Sequence, residues 1–539
     1  MTQSKTNVER PWLEHVVPGN PKEIEIPIIS LPQLLDESVA TYSNHTAITF
    51  YGKTFSYKEL SDNIKKAAKG LSKSGVGKGD RVAIMLPNCP QYPVSFYSIL
   101  ACGGIVVQVN PMYQASELIH ILNDSGAKAI IVMDQLLPLI EAIRAQPPIQ
   151  EVYPVSVESA YLPDELLIED EGELQTVEIN PVEDVAVLQY TGGTTGTPKG
   201  AMLTHFNIVA NTLQSEATST VKVKKGEERV LTISPLFHVY GMTSAMSVTF
   251  YLGGNLILVP KFDVEQVIDI IEKTKPTSFP GVPTMYIALV NYYNVRKFDL
   301  SCFKICSSGS APLPIEIINQ FNEISGTSVA EGYGLSEASP VTHRNPVDGL
   351  QKKGSIGIPI PNTDARIVDI ATGEESLAVG EVGELVIKGP QVMKGYWNRP
   401  EETNIAIRNG WLYTGDLAKM DEDGFFFIVG RKKEMIIASG YNVYPIEVEN
   451  VMYKHPAVLE VAVIGIPHEY RGETIKAIVV QKDGVDVTSD QLIDFCRTQL
   501  SAYKVPREIQ FVKELPKTAV GKILKRNLIT QFNAQSDQV

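Results

Sequence analysis

The sequence predicts an α/β fold, with a large N-terminal domain over residues 1–432 and a small α+β domain over 433–539. Three observations support this. Short β-branched runs alternate with helical patterns through 30–180 and 181–350, which indicates two α/β layered subdomains with largely parallel strands. Over 351–432, Gly-rich turns separate strands and few helices occur, which indicates a β-rich subdomain. The last block, of about 105 residues, mixes both element types and is long enough for a domain.

The first two blocks contain the clearest individual elements. Apolar, β-branched runs bounded by turn residues are typical of buried strands, and longer amphipathic segments are typical of helices. Strands are predicted at Arg81–Leu86, Ile105–Val109, Ala129–Met133, Val185–Tyr190, Val230–Ser234 and Asn255–Val259. Helices are predicted at Gln91–Ala101, Ser116–Leu122, Phe206–Gln214, Val264–Lys273 and Pro283–Tyr292.

The rest of the chain is predicted by the same criteria. Strands are expected at Ala365–Asp369, Gly383–Lys388 and Gly424–Val429 in the β-rich block. The last block is expected to hold helices at Pro445–Lys454 and Ser489–Leu500, and strands at Leu459–Ile464, Lys476–Val480 and Glu508–Lys513.

Composition excludes several classes of protein. Of the 539 residues, 44% are apolar and 20% are charged, which is typical of a globular protein. The net charge of −14 argues against a nucleic-acid surface. The five cysteines form no CxxC pair, which disfavours a disulfide scaffold or a zinc site. We find no secretory signal and no apolar stretch of the roughly 20 residues that span a bilayer, so we expect a cytoplasmic protein.

The strongest local signal is a loop directly after a predicted strand, Tyr190-Thr-Gly-Gly-Thr-Thr-Gly-Thr-Pro-Lys199-Gly200. Its glycines let the backbone approach a ligand, its threonines offer hydroxyl donors and its lysine is a cation, which together suit a polyphosphate. The candidate ligands are Thr191, Gly192, Gly193, Thr194, Thr195, Gly196 and Lys199. A Walker-type P-loop is disfavoured because Pro198 precedes the lysine and Gly200 follows it.

This loop resembles the phosphate loop of the adenylate-forming superfamily, which includes acyl-CoA synthetases. Further motifs resemble that family in the same order, so the resemblance covers about Leu31 to Lys525. They are Pro235-Leu-Phe-His238-Val-Tyr-Gly241, Gly309-Ser-Ala-Pro312, Glu331-Gly-Tyr333-Gly-Leu-Ser336-Glu337, Tyr413-Thr-Gly-Asp416, Gly430-Arg431-Lys-Lys433 and Pro516-Lys517-Thr-Ala-Val-Gly521-Lys522.

The resemblance implies a role in ATP chemistry for each motif. Lys522 would be the catalytic lysine of adenylation, and Glu337 would hold Mg²⁺, which prefers oxygen ligands. Asp416 and Arg431 would bind the ribose. The adenine and phosphate contacts would come from Gly309, Ser310, Ala311, Pro312, Glu331, Gly332, Tyr333, Gly334 and Ser336. The family commonly has Thr at the position of Ser336, and Ser keeps the hydroxyl.

The same resemblance implies a second half-reaction with coenzyme A. The C-terminal domain is expected to be mobile, with Lys433 as its hinge, because the lysine must move before a thiol can reach the adenylate. Gly440 matches the glycine beside the pantetheine arm, and His238 is expected to help gate that channel. Some long-chain relatives carry a gating Trp near the pocket entrance, whereas the corresponding stretch here offers Tyr240 and no Trp, so gating of the tunnel stays open.

The acid substrate is the least constrained part of the prediction. The sequence as a whole resembles bacterial long-chain fatty-acid–CoA ligases. The small, apolar residues of Ala245–Tyr251 suit a tunnel for an alkyl chain. Medium-chain or aryl (coumarate-like) acids stay open, as does a non-catalytic nucleotide-binding homologue. The predicted partners are therefore ATP, Mg²⁺, coenzyme A and a carboxylic acid. A homodimer and a transient contact with a membrane surface are also left open.

Overall fold

The computed structural model describes residues 10–159, 161–168, 177–191, 198–438, 441–468, 472–482, 484–518 and 521–536. The chain divides into two compact units. One contains Met1–Asp364 and Ile387–Leu412, and the other contains Ala365–Val386 and Tyr413–Val539. None of the helices in the described ranges is both long and apolar enough to cross a membrane.

One sheet of the first unit carries the predicted phosphate loop at the end of a strand. Its central strands are parallel and have both faces covered, which explains why they read as continuous apolar runs. In order across the sheet the strands are Gly395–Tyr396, Lys199–Thr204, Val185–Thr191, Ile105–Gln108, Arg81–Met85, Ala129–Met133 and Glu151–Val155.

A second sheet of the first unit is parallel in its middle and antiparallel at both ends. In order its strands are Ile358–Pro359, Val341–Arg344, Val329–Gly334, Ile305–Ser308, Ser278–Gly281, Arg229–Thr232, Asn255–Leu258, Thr46–Phe50 and Lys53–Ser56. Each sheet takes strands from both sides of position 180. The expected subdomains 30–180 and 181–350 therefore exchange strands, because Thr46–Phe50 pairs with Asn255–Leu258.

Helices cover these sheets, and the α/β prediction is confirmed. The α-helices of the first unit are Leu31–Tyr42, Tyr57–Lys73, Gln91–Ala101, Ala115–Ser125, Leu137–Ile143, His205–Ala217, Val248–Tyr251, Val264–Thr274, Pro283–Tyr293, Ile315–Ser325 and Pro400–Ala406. Short 3₁₀ helices lie at Pro11–His15, Asp134–Leu136, Val157–Ser159 and Ser336–Ala338. The first two α-helices were not predicted, although Ser30 and Ser56 begin them with capping boxes.

A π-helix, Tyr240–Ser247, follows the aromatic segment around His238. Gly241 is needed there, since a Cβ at this position would lie 2.2 Å from the carbonyl oxygen of Pro235. π-Helical turns are rare in proteins, and those that occur are often found at functional sites.

The second unit is built from short strands and a small α+β core. Three strands lie mostly in this unit and begin or end in the other: Asp364–Val368, Gly383–Lys388 and Trp411–Met420. The strands wholly within it are Phe426–Arg431, Ile436–Ala438, Tyr441–Val443, Val458–His468, Gly472–Gln481 and Glu508–Phe511. Its helices are Pro445–Met452, Ser489–Arg497 and Lys525–Ser536. The apolar core lies between the first two helices and the Val458–His468 and Gly472–Gln481 hairpin. The boundary between 432 and 433 and the hinge at Lys433 stay predictions.

Candidate active site

Two paired strands hold the ends of the predicted phosphate loop side by side. Val185–Thr191 runs antiparallel to Lys199–Thr204, and Thr191 lies opposite Lys199. Gly192, Gly193, Thr194, Thr195 and Gly196, which we predicted to bind phosphate, lie outside the described residues. The first and last residues of the predicted cradle are therefore fixed by a backbone ladder.

Lys199 lies against residues that the sequence analysis did not select. Its Nζ is 3.8 Å from Glu402 Oε1 and 5.5 Å from the centre of the Tyr396 ring. Both contacts are loose, and the side chain remains about 29% exposed. An exchangeable partner of this kind leaves the ammonium group able to bind an anion.

Glu337, the predicted metal ligand, is held by the same tyrosine. The Tyr396 hydroxyl donates to Glu337 Oε1 at 2.8 Å. Burial, followed by the nearby Glu337 carboxylate, raises the pKa of Tyr396 far above its ordinary value, so the hydroxyl stays protonated as a donor. The backbone of Glu337 also accepts a bond from Met393 N at 2.8 Å. Tyr396 therefore orients the carboxylate and links it to Lys199.

Tyr396 belongs to a short segment that docks on the strand after the phosphate loop. Gly395–Tyr396 pairs with Ala201 and Met202, and Trp397 N donates to Gly200 O at 2.8 Å. A Cβ at Gly200 would lie 3.2 Å from the Tyr190 ring, so this glycine permits the close approach. The two aromatic residues Tyr396 and Trp397 directly after Gly395 could have been noticed in the sequence. Nothing in the neighbouring sequence indicated, however, which strand this segment would pair with.

The predicted adenine-binding residues meet at the ends of neighbouring parallel strands. Ser310 has a φ of +71°, and the Leu313 N–H donates to Glu331 Oε1 at 3.1 Å, which ties the Gly309–Pro312 loop to the next strand. Burial raises the pKa of Glu331 to about 7. The partly buried Tyr333 ring stands edge-on to His343, with ring centroids 6.1 Å apart.

The turn that leads to Glu337 is set by a backbone contact at Gly334. A Cβ there would lie 2.4 Å from the carbonyl oxygen of Pro340, so no other residue fits without movement. Ser336 then begins the 3₁₀ turn Ser336–Ala338, which includes Glu337. The sequence motif thus sets both the composition and the shape of this turn.

The aromatic segment at His238 is packed close to the Gly309 loop. Tyr240 N donates to His238 Nδ1 at 3.3 Å, and the Tyr240 hydroxyl is 3.3 Å from Ser307 Oγ. The Tyr240 ring would lie 3.4 Å from a Cβ at Gly309. His238 and Gly309, distant in sequence, are therefore joined through Tyr240; the gating role of His238 stays a prediction.

In the second unit, the predicted ribose-binding pair is formed. Arg431 Nε lies 2.9 Å from Asp416 Oδ1, and the two residues face each other on adjacent antiparallel strands. Glu384, which the sequence analysis missed, accepts bonds from Gly415 N at 3.1 Å and Lys432 Nζ at 3.0 Å. It fixes the turn that presents Asp416, and its buried position has no local sequence signature.

Lys522 lies near this pair within the second unit. The pKa of Lys522 is lowered to about 8, first by burial and then by the nearby Arg431, whereas the carboxylates of Asp416 and Glu434 act in the opposite direction. The lysine sits in a turn where its N–H donates to Thr518 Oγ1 at 3.1 Å. Lys522 is thus brought beside two residues about a hundred positions earlier in the chain.

A neighbouring lysine anchors the Lys522 turn. Lys525 Nζ lies 2.8 Å from Glu449 Oε1 and 3.6 Å from Glu434 Oε2. Lys433 is exposed in the turn between Arg431 and Ile436, and Gly440 lies outside the described residues. Lys525 is therefore a structural cation, and Lys522 is the one placed with the predicted ribose ligands.

Comparisons with known proteins identify the family of this chain. The model of the AMP-binding enzyme family matches residues 35–397, and that of the AMP-binding enzyme C-terminal domain matches residues 447–522. The chain is 47% identical to a long-chain-fatty-acid–CoA ligase of Bacillus subtilis, covering 97% of this chain and 98% of that protein. It is 39% identical to the ligase of the same name from Salmonella typhimurium, over 98% and 100% of the two chains.

A solved structure with ATP bound is also similar. MatB from Rhodopseudomonas palustris superposes with a TM-score of 0.86 at 30% identity, over 94% of this chain and 99% of that one. The fold, the order of the motifs and the near-complete coverage lead to one conclusion. The chain belongs to the AMP-binding enzyme family, the adenylate-forming enzymes that the sequence motifs resemble.

Proposed function

We propose that this chain is an AMP-forming long-chain fatty-acid–CoA ligase. It activates a fatty acid with ATP to acyl-AMP, releases pyrophosphate, and transfers the acyl group to the thiol of coenzyme A with release of AMP. The names of the 47% and 39% identical relatives support the substrate. The observation that carries the chemistry is the group formed by Lys522, Asp416 and Arg431.

The first half-reaction brings two anions together. A fatty-acid carboxylate oxygen attacks the α-phosphorus of ATP, and the bond to pyrophosphate breaks. Lys522 is assigned to the developing charge on the carboxylate and the α-phosphate, because a preorganised cation in a dry site stabilises such a transition state. Asp416 accepts from the ribose hydroxyls while Arg431 holds its carboxylate. Thr191 and Lys199 belong to the cradle of the departing phosphates.

Mg²⁺ suits the carboxylate of Glu337, which prefers hard cations as an oxygen ligand. No cluster of three or more His, Cys, Asp or Glu in the described ranges could hold a metal ion by itself. Mg²⁺ commonly binds through one or two carboxylates together with substrate phosphates, which agrees with Glu337 as the protein ligand. Bound there, it would neutralise phosphate charge. Tyr396 restricts the rotation of Glu337 through its hydrogen bond to Oε1.

The second half-reaction needs room at the acyl carbonyl. The thiol of coenzyme A attacks that carbon, and AMP leaves. Lys522 must move away first, and we assign this motion to a rotation of the C-terminal domain about Lys433. Gly440 is assigned to the pantetheine channel, where a side chain would obstruct the arm, and His238 to its gate.

An acid panel tests the proposal. The enzyme is incubated with ATP, coenzyme A and hexadecanoate, octanoate or coumarate, and pyrophosphate release is measured. We expect the highest kcat/KM with hexadecanoate. Highest turnover with coumarate would instead indicate an aryl-acid ligase, and no pyrophosphate with any acid would indicate a nucleotide-binding homologue without turnover.

A lysine variant tests the mechanism separately. Lys522→Ala should lower the rate of acyl-AMP formation by about 100-fold or more while ATP binding is kept, since removal of a transition-state donor costs about that much. Lys513→Ala, an exposed lysine of the same domain, is the matched control and should leave the rate unchanged. Equal rates for the two variants would contradict the assignment of Lys522.

A further inference from the structure

The helix Ala115–Ser125 takes no part in the steps above, yet it contacts the chain at both ends of the phosphate loop. At the start of the loop, the Tyr190 hydroxyl donates to Asp124 Oδ2 at 2.8 Å. Near its other end, His120 Nε2 lies 3.0 Å from the carbonyl oxygen of Pro198. A carbonyl oxygen can only accept, so the histidine nitrogen is the donor. One helix therefore holds a residue at each end of this loop.

Asp124 is also bonded to a third part of the chain, the 395–399 segment. Arg399 Nη2 donates to Asp124 Oδ1 at 2.7 Å, and Trp397 Nε1 donates to the Asp124 carbonyl oxygen at 3.2 Å. The same segment contains Tyr396, which is bonded to the predicted metal ligand. Each oxygen of the Asp124 carboxylate thus has its own partner, one at the start of the phosphate loop and one on the 395–399 segment.

The bonds of Asp124 are formed largely out of contact with bulk water. The Asp124 side chain is 10% exposed, and Tyr190 is buried. Hydrogen bonds to a charged group are stronger where water is excluded. Burial, followed by the bond to Asp124, raises the pKa of Tyr190 far above its ordinary value, so the hydroxyl stays protonated as a donor. The contact between Tyr190 and Asp124 is therefore oriented and lasting, unlike an exposed ion pair.

The helix that carries Asp124 is itself firmly anchored. Arg81 Nε donates to Ser125 O at 2.9 Å, and Arg81 Nη2 donates to Gly126 O at 2.9 Å. A cation at this end also complements the helix dipole. The apolar face of the helix is buried against the sheet through Leu118, Ile121 and Leu122. The helix is therefore a rigid support for the residues that it holds.

Each contact of this helix lies next to a group assigned to ATP. Thr191 and Lys199 directly follow the two residues held at the ends of the loop. Tyr396, whose hydroxyl donates to Glu337, lies in the 395–399 segment that Asp124 holds. The groups assigned to the departing phosphates and to Mg²⁺ are thus all attached to one support.

We infer that Asp124 and His120 are positioning residues for the β- and γ-phosphates of ATP. They act through the ends of the phosphate loop and the 395–399 segment, without touching the substrate. This inference rests on the proposed function and adds two residues that set the affinity for ATP. AMP lacks the two outer phosphates, so loss of the positioning weakens the binding of ATP and leaves the binding of AMP as it was.

The first test measures binding to the full-length enzyme. Isothermal titration calorimetry gives Kd for Mg-ATP and for AMP, and the quantity of interest is the ratio of the two. Asp124→Ala should raise this ratio about tenfold, the usual effect of losing a hydrogen bond to a charged group. His120→Ala should raise it about threefold, because its bond to a neutral carbonyl contributes less. Asn123→Ala changes an exposed residue of the same helix and should leave the ratio unchanged.

The second test separates positioning from support of the fold. In pyrophosphate release, the KM for ATP of Asp124→Ala should rise by the same factor as its Kd. Thioester formation from supplied acyl-AMP and coenzyme A uses no outer phosphates, so its rate should stay at the wild-type value. Asp124→Asn, which keeps one oxygen acceptor without the charge, should lie between Asp124→Ala and the wild type. Arg399→Lys should likewise be closer to the wild type than Arg399→Met.

The outcomes that overturn the inference differ from those that overturn the ligase function. A wild-type ratio of the two Kd values in both Asp124→Ala and His120→Ala overturns the inference. Equal losses in the two half-reactions overturn it as well, since Asp124 would then only support the fold. If Asp124→Ala does not fold, Asp124→Asn and His120→Ala decide. If the wild type releases no pyrophosphate with any acid, the ligase function fails, whereas the binding ratios still decide the positioning role.

Discussion

The low pKa of Lys522 predicts an unusual pH dependence of adenylation. An ordinary lysine stays charged up to about pH 10, but burial and the neighbouring Arg431 lower the pKa of Lys522 to about 8. If the ammonium form stabilises the transition state, the adenylation step must lose activity as the pH rises through about 8. The protonated form is active, so the loss lies on the alkaline side.

The size of the effect follows from the titration curve. With a pKa of about 8, roughly nine tenths of the lysine is charged at about pH 7 and roughly one tenth at about pH 9. We therefore expect kcat/KM for ATP to fall about tenfold over this interval. This parameter is the appropriate one because it reports groups of the free enzyme.

Two variants check the origin of the profile. Lys522→Arg carries a guanidinium that stays charged above pH 12, so its rate, although lower, should be flat between about pH 7 and 9. Glu434→Gln removes a carboxylate that favours the charged lysine, so its midpoint should move to lower pH. The assay is pyrophosphate release at subsaturating ATP and saturating fatty acid.

A flat wild-type profile up to about pH 9.5 would refute this reasoning. The same holds if Lys522→Arg loses activity with the same midpoint as the wild type, since another group would then titrate. A thermal unfolding curve at each pH serves as the control for loss of folded enzyme.

Three further predictions concern neighbouring residues. Tyr396→Phe removes the hydrogen bond to Glu337 but keeps the aromatic ring beside Lys199. We expect the KM for Mg-ATP to rise about tenfold, because a hydrogen bond to a charged group usually contributes about that much. An unchanged KM would contradict the orienting role of Tyr396. Folding raises the pKa of Glu331 to about 7, so the folded protein favours the protonated carboxyl. As the pH rises from about 4.5 to 7, the wild type should therefore lose up to about 3 kcal/mol of unfolding free energy relative to Glu331→Gln. Calorimetric melting temperatures of the two proteins that stay parallel over this range would disprove the prediction. Gly334→Ala should destabilise by about 2 kcal/mol because its Cβ meets a carbonyl oxygen at 2.4 Å, and an unchanged melting temperature would show that the turn adapts.

Much of the fold could be predicted from the sequence because it depends on local patterns. Arg81–Met85 and Ala129–Met133 are buried on both faces, so their apolar runs are unbroken and they are readily recognised as strands. The pairing of Thr46–Phe50 with Asn255–Leu258 could not be predicted, since it joins segments about 200 residues apart through backbone bonds that carry no side-chain signal. The long helix Tyr57–Lys73 was missed despite its capping box at Ser56.

The sequence by itself determined which chemical groups the candidate active site contains. They are the threonine- and glycine-rich loop ending at Lys199, the carboxylates of Glu337 and Asp416, and Lys522 near the C-terminus. The tertiary structure alone decided what surrounds them. Tyr396 beside Glu337 and Glu384 beneath the Asp416 turn are contacts between residues far apart in the chain. The motifs follow from the chemistry of the ligands and are short, continuous stretches of sequence, so they can be recognised locally. Burial and the pKa shifts that it causes depend on segments far apart in the chain, which exclude water only when they pack against each other.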